Sequence, residues 1–209
     1  MGINLGSGFG NLAGNTNNNA PTGGILNLNK NDVLDLTKRN PGLKKVMLGA
    51  GWDTSNSGSD FDLDIAAFLL DANNKFNTVS NVIFFNNKAG RGITLGGDNR
   101  TGAGEGDDET INIELDNIDP SIVKIVFVVT IHEAMAKRQT FGMINNSYVR
   151  LVDLEQNGKE LCRFNLKENG STATSVIFAE LYRNGAEWQF KAVGEGKIAD
   201  LNGVLALYQ

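Results

Sequence analysis

The sequence predicts an all-β protein, a two-sheet β-sandwich with short helices and long acidic loops. Three observations carry that expectation: many short runs with strand-like alternation, glycine- and asparagine-rich turns between them, and no long stretch that keeps a helical period. Two runs, Ile65–Leu70 and Val123–Ile131, are apolar at successive positions, as strands covered on both faces are.

In chain order, Ile25–Leu28 and Asp32–Leu36 read as a strand pair around Asn29-Lys30-Asn31. Strands are then expected at Lys44–Gly51, Leu63–Leu70, Asn81–Phe85, Thr110–Leu115 and Val123–Ile131. Four more follow at Tyr148–Leu154, Leu161–Leu166, Val176–Tyr182 and Trp188–Val193. The turn signals are Asn40-Pro41-Gly42, Asn73-Asn74, Gln156-Asn157-Gly158, Asn169-Gly170 and Asn184-Gly185, residue types that tolerate or require left-handed backbone. Glu133–Gln139 and Asn202–Tyr208 have the length of one or two helical turns. Residues 1–24 are dominated by Gly, Asn, Ser and Ala, too poor in apolar surface to offset the entropy of ordering, and are expected to form a flexible N-terminal extension. No linker follows, so residues 25–209 are expected to form one sandwich domain.

The composition of the 209 residues is that of an ordinary soluble protein, and the net charge of −5 argues against nucleic-acid binding, which needs clustered Lys and Arg. It disfavours electrostatic attachment to anionic lipid as well, so membrane association would have to run through a peripheral complex. No run is long enough to span a bilayer, and Met1–Gly10 lacks the basic and apolar regions of a signal peptide. Cys162 is the single cysteine, in an alternating strand-like stretch, which predicts a packed thiol and fits a cytoplasmic location.

The acidic residues fall unevenly. Asp53 to Asp64 contains Asp53, Asp60, Asp62 and Asp64 and no basic residue; Gly96 to Glu109 contains Asp98, Glu105, Asp107, Asp108 and Glu109 against Arg100 alone. These two segments hold nine of the 24 acidic side chains, a density at which like charges repel unless a counter-ion intervenes. Calcium meets that need, because it takes six to eight oxygen ligands in flexible loops and glycine lets backbone carbonyls fold around it. In Asp60-Phe61-Asp62-Leu63-Asp64 an extended backbone sends the three carboxylates to one face and Phe61 and Leu63 to the core. An EF-hand is rejected: with Asp60 first, the sixth loop position is Ile65 rather than glycine, and the segment that follows is a strand. One His and one Cys give no zinc spacing, and magnesium prefers fewer protein ligands.

At these residues the chain resembles the TerD family of tellurite-resistance and stress-response proteins. The matching segments include Gly49-Ala50-Gly51-Trp52-Asp53, Asp60-Phe61-Asp62-Leu63-Asp64, Phe84-Phe85-Asn86-Asn87 and Gly97-Asp98-Asn99-Arg100-Thr101-Gly102. Glu105-Gly106-Asp107-Asp108-Glu109, Val129-Thr130-Ile131-His132, Gln139-Thr140-Phe141-Gly142 and Ala192-Val193-Gly194-Glu195-Gly196 continue the likeness to the C-terminus. The resemblance implies a β-sandwich binding two calcium ions, and resistance to tellurite, other stresses and phage. Carried over by position, the metal ligands are Asp60, Asp62, Asp64, Asp98, Asn99, Glu105, Asp107, Asp108 and Glu109. Two departures stand out: Ala103 occupies a position that is often acidic in the family, and the Gly/Asn-rich leader precedes the usual start.

An enzyme would need a poised acid, base or nucleophile in a pocket. His132, the single histidine, sits at the end of an apolar run and reads as structural; no nucleophile elbow or phosphate-loop ending is present. The expectation is therefore a non-enzymatic calcium-binding interaction module with protein partners or self-association. A structural protein that assembles through residues 1–24, or a calcium-dependent hydrolase, are the alternatives.

Overall fold

In the computed structural model the described residues are 25–54, 61–98, 106–166 and 172–209. Among them the chain forms two packed β-sheets with three short α-helices, the sandwich that the sequence predicts. One sheet, A, contains β1 (Leu26–Leu28), β3 (Lys45–Thr54), β6 (Ala89–Gly90), β7 (Ile93–Asp98), β8 (Glu109–Glu114), β10 (Ile144–Asp153) and β11 (Lys159–Asn165), in the order β1-β11-β10-β3-β8-β7-β6. The other, B, contains β2 (Val33–Asp35), β4 (Leu63–Leu70), β5 (Val82–Ile83), β9 (Lys124–Ile131), β12 (Ser175–Asn184) and β13 (Glu187–Lys197), in the order β2-β13-β12-β9-β4-β5.

Period-two alternation decides what each strand buries. On β3 the residues Val46, Leu48, Ala50 and Trp52 point inward and are buried. Leu63, Ile65, Ala67 and Leu69 of β4 and Ile125, Phe127, Val129 and Ile131 of β9 meet them in the same core. The other faces of β4 and β9 are apolar too, as expected from their sequences. Ala66, Phe68, Leu70, Val126 and Val128 form a second cluster on the outer face of sheet B, covered by α3 (Leu201–Leu205) and the short helical turn Ala206–Tyr208. Tyr208 closes it edge-on to Phe68, with ring centroids 5.8 Å apart. Cys162 is fully buried, and burial pushes its thiol up to about 12, as the packed-thiol expectation requires.

Two details differ from the expectation. The first two strands do not pair with each other: β1 lies parallel to β11 at the edge of sheet A, while β2 pairs with β13 at the edge of sheet B. The four-residue connection carries the chain across because Asn31 takes a left-handed φ of 71° and β13 captures the turn through Asn31 N–H to Ala192 (2.7 Å) and Ala192 N–H to Asp32 (3.0 Å). Strands β6 and β7 and helix α1 (Leu36–Arg39) are additions, discussed below. Helix α2 (Ala134–Lys137) is the short helix expected after Glu133. No helix among the described residues is long and apolar enough to cross a membrane.

Candidate metal-binding end

Both acidic segments leave the same end of the sandwich. The first joins the C-terminal end of β3 to the start of β4; the second joins the end of β7 to the start of β8, where Asp98 and Glu109 stand in register beside Ala50 of β3. Asp60, Asn99 and Glu105 lie outside the described residues, and of Asp98 the backbone alone is described. The remaining predicted residues divide by sheet.

On sheet B, Phe61 and Leu63 are buried, and the alternation of β4 places Asp62 and Asp64 on the opposite face. His132 joins them: its N–H donates to the Asp62 carbonyl (2.7 Å), and its Nδ1 lies 3.5 Å from an Asp64 carboxylate oxygen. The imidazole is 45% exposed at this rim, so the histidine expected to be structural faces the acidic end rather than the core.

On sheet A the carboxylates are withdrawn from solvent. Glu109 begins the inward-facing series Glu109, Ile111, Ile113 and is 3% exposed; Asp108 is 7% exposed and accepts from the Trp52 N–H at 3.0 Å. Burying carboxylates side by side is costly unless positive charge or donors compensate. For Asp107 the compensation is visible. Arg150 of β10 donates Nε to Asp107 Oδ1 (2.8 Å) and Nη2 to Asp107 Oδ2 (2.9 Å), and the Tyr148 hydroxyl donates to Gly106 O (2.9 Å) and Asp107 Oδ1 (3.2 Å).

The glycines of Gly49-Ala50-Gly51-Trp52 make room for this arrangement. A Cβ on Gly49 would lie 2.2 Å from the Asp107 carboxylate, and one on Gly51 would lie 2.5 Å from the Tyr148 ring. The strand therefore presents bare backbone on which both side chains lie flat. Arg163 stacks on the Tyr148 ring, 4.1 Å from its centroid, and Glu160 bridges Arg150 (3.0 Å) and Arg163 (2.8 Å), which stand opposite each other on β10 and β11. The bond to Asp107 raises the Arg150 guanidinium above its ordinary pKa, so this charge is permanent. Sequence reasoning missed Arg150, Tyr148 and Glu160; their signal was only that polar residues alternate with apolar ones along β10 and β11.

Among the described residues no three His, Cys, Asp or Glu side chains come close enough to hold an ion, so a complete shell would draw on residues 55–60 and 98–105. The donor chemistry of the two segments nevertheless suits a hard cation, being carboxylate, amide and carbonyl oxygen. The Trp52 indole N–H, buried at this end, has no acceptor among the described residues. A groove of about 520 Å³ beside the acidic end is lined by Asp53, Asn145, Ser147, Tyr148 and Arg163, and His132 is not part of its wall.

The TerD domain model matches residues 25–208 of the chain. The chain is 46% identical to the tellurium resistance protein TerD of Serratia marcescens over 186 residues, 88% of this chain and 96% of that protein. It is 48% identical to general stress protein 16U of Bacillus subtilis over 175 residues, 82% of this chain and 90% of the relative. Among solved structures, a homologue of the telluride resistance protein (TerD) from Streptomyces coelicolor superposes with a TM-score of 0.64 at 27% identity, covering 78% of this chain and 96% of that one.

Proposed function

The chain belongs to the TerD family, and from that premise we propose that it is a non-enzymatic calcium-binding module of a cytoplasmic stress response, with about two ions held by its acidic loops. The observation that carries this reading is the convergence of both acidic segments on one end of the sandwich, where Asp62 and Asp64 come from one sheet and Asp108 and Glu109 from the other. Asp60, Asp98, Asn99 and Glu105 complete the proposed donor set. Bound calcium would supply positive charge that neutralises these carboxylates and stiffens the loops. Partners would then meet one rigid, charge-balanced end. Relatives named for tellurium resistance and general stress support the physiological setting.

Calorimetric titration of calcium into chelator-stripped protein, with magnesium as control, tests the reading. Saturable binding of about two ions at micromolar or tighter affinity is expected; an absence of heat and of any shift in melting temperature would remove the metal. A second reading, self-association through residues 1–24, draws on the family match beginning only at residue 25. Light scattering on a chain without those residues tests it, and an unchanged oligomeric state would end it.

A further inference from the structure

We propose that Arg150 is the positioning residue of the second acidic loop and that Asp107, which it holds, is an anchor rather than an ion ligand. This inference rests on the calcium reading for its effect on affinity, but its structural half stands on contacts alone. Both oxygens of Asp107 face the Arg150 fork, one also accepts from Tyr148, and the carboxylate is only 5% exposed against the outer face of β3. A carboxylate offers about four lone-pair directions, and most of these are already in use. Glu109 faces the other way, into the sandwich. Asp107 thus pins the chain to β3 and β10 just ahead of Asp108 and Glu109.

The pin is reinforced on both sides. Tyr148 holds the Gly106 carbonyl (2.9 Å), the Asp108 N–H donates to the Ala50 carbonyl (2.8 Å), and the Asp108 carboxylate receives the Trp52 N–H (3.0 Å). Three consecutive residues are therefore fixed to β3 and β10 immediately before β8 begins. Groups that orient metal ligands typically change affinity 10- to 100-fold when altered. Arg suits the task because its planar fork meets both carboxylate oxygens at once, which the point charge of Lys cannot do. Glu160, bonded to both Arg150 and Arg163, fixes the fork in turn.

The decisive variant is Arg150→Lys in the full chain, since it keeps the charge and so leaves the long-range attraction for a cation in place. Calcium affinity should fall about 10-fold, and in chelator-stripped protein the amides of Trp52 and Asp108 should exchange faster. Asp107→Asn should cost a similar factor and Asp108→Asn a larger one. Should Asp107→Asn abolish binding while Arg150→Lys binds like the parent, Asp107 is a ligand and the proposal fails. If the parent takes no calcium, the calcium reading falls by itself, and exchange in the metal-free proteins decides the anchor: unchanged rates at Trp52 and Asp108 overturn it, faster rates sustain it. If Arg150→Lys does not fold, Tyr148→Phe, which loses only the hydroxyl contacts to Gly106 and Asp107, is read by the same two measurements with smaller changes expected.

Discussion

The two ends of the sandwich handle negative charge in opposite ways. At the end formed by the β8–β9 and α1–β3 connections, carboxylates sit in water beside a cation: Lys45 with Glu114 at 2.9 Å, Arg91 with Asp119 at 2.9 Å, and Lys44 with Asp116 at 3.8 Å, every side chain more than 40% exposed. At the other end Asp108 and Glu109 are buried, and the Asp107 side chain is 5% exposed beneath Arg150. Exposed pairs contribute little because water and salt already screen them. Buried carboxylates cannot be treated so lightly, and a protein that keeps several together must supply donors, a guanidinium or an ion. The comparison teaches that at the acidic end the fold must compensate carboxylates that water compensates at the other.

The largest effect expected from breaking this contrast comes from the ion. A site at 100-fold excess of calcium over its dissociation constant adds about 2.7 kcal/mol, so two sites should raise the melting temperature by about 10–20 °C in a domain of this size. Asp62→Asn combined with Asp108→Asn should erase most of that rise in differential scanning calorimetry, and an unaltered rise would place the ion elsewhere. Next in size, Gly49→Ala forces a methyl group into the Asp107 carboxylate and should lower stability by about 1–3 kcal/mol in urea titration. A neutral result would mean that the carboxylate yields easily and that its seat on β3 is loose.

A pH effect sharpens the same comparison. Burial pushes the Glu160 carboxyl up, but Arg163 and Arg150 together pull it further down, below its ordinary value of 4.5. A carboxylate depressed in the folded state contributes stability in full above the unfolded value and loses it as pH falls through the folded one. The decline in melting temperature below pH 4.5 should therefore be shallower in Glu160→Gln than in the parent; parallel curves would show that this network does not set the acid limit. The smallest effect belongs to the opposite end: Lys45→Met with Glu114→Gln should leave the urea midpoint where it was. A clear drop would show that the exposed pairs matter more than their solvation allows.

How much of this was legible in the sequence depends on how local the cause is. Strands β4 and β9 could be read to within a residue because unbroken apolar runs record burial on both faces. Strand β7 was missed because Gly96 and Gly97 interrupt its pattern and its pairing with β8 shifts register after Leu95. The separation of β1 from β2 was invisible, since the turn between them is held by Ala192, far along the chain. In the site, the acidic residues announced themselves by density, and Phe61 and Leu63 are buried as the alternation requires. Arg150 did not, because the carboxylates nearest it in sequence, Asp153 and Glu155, are not the ones it holds; Asp107 lies 43 residues away and Glu160 10. The motif Gly49-Ala50-Gly51-Trp52 was noticed without its reason, which is the flatness demanded by Asp107 and Tyr148.

Each end of the molecule also carries a tryptophan. Trp52 is buried at the acidic end with its amide on Asp108, whereas Trp188, in the opposite half, lies beneath Arg183 at 4.3 Å from the guanidinium. The two tryptophans are therefore intrinsic fluorophores that sample different surroundings. Replacing Trp188 with phenylalanine leaves an optical probe of the acidic end, and replacing Trp52 leaves one of the end whose ion pairs lie in water. A change confined to the acidic end and a global unfolding then become separable by comparing two single-tryptophan variants, without a label.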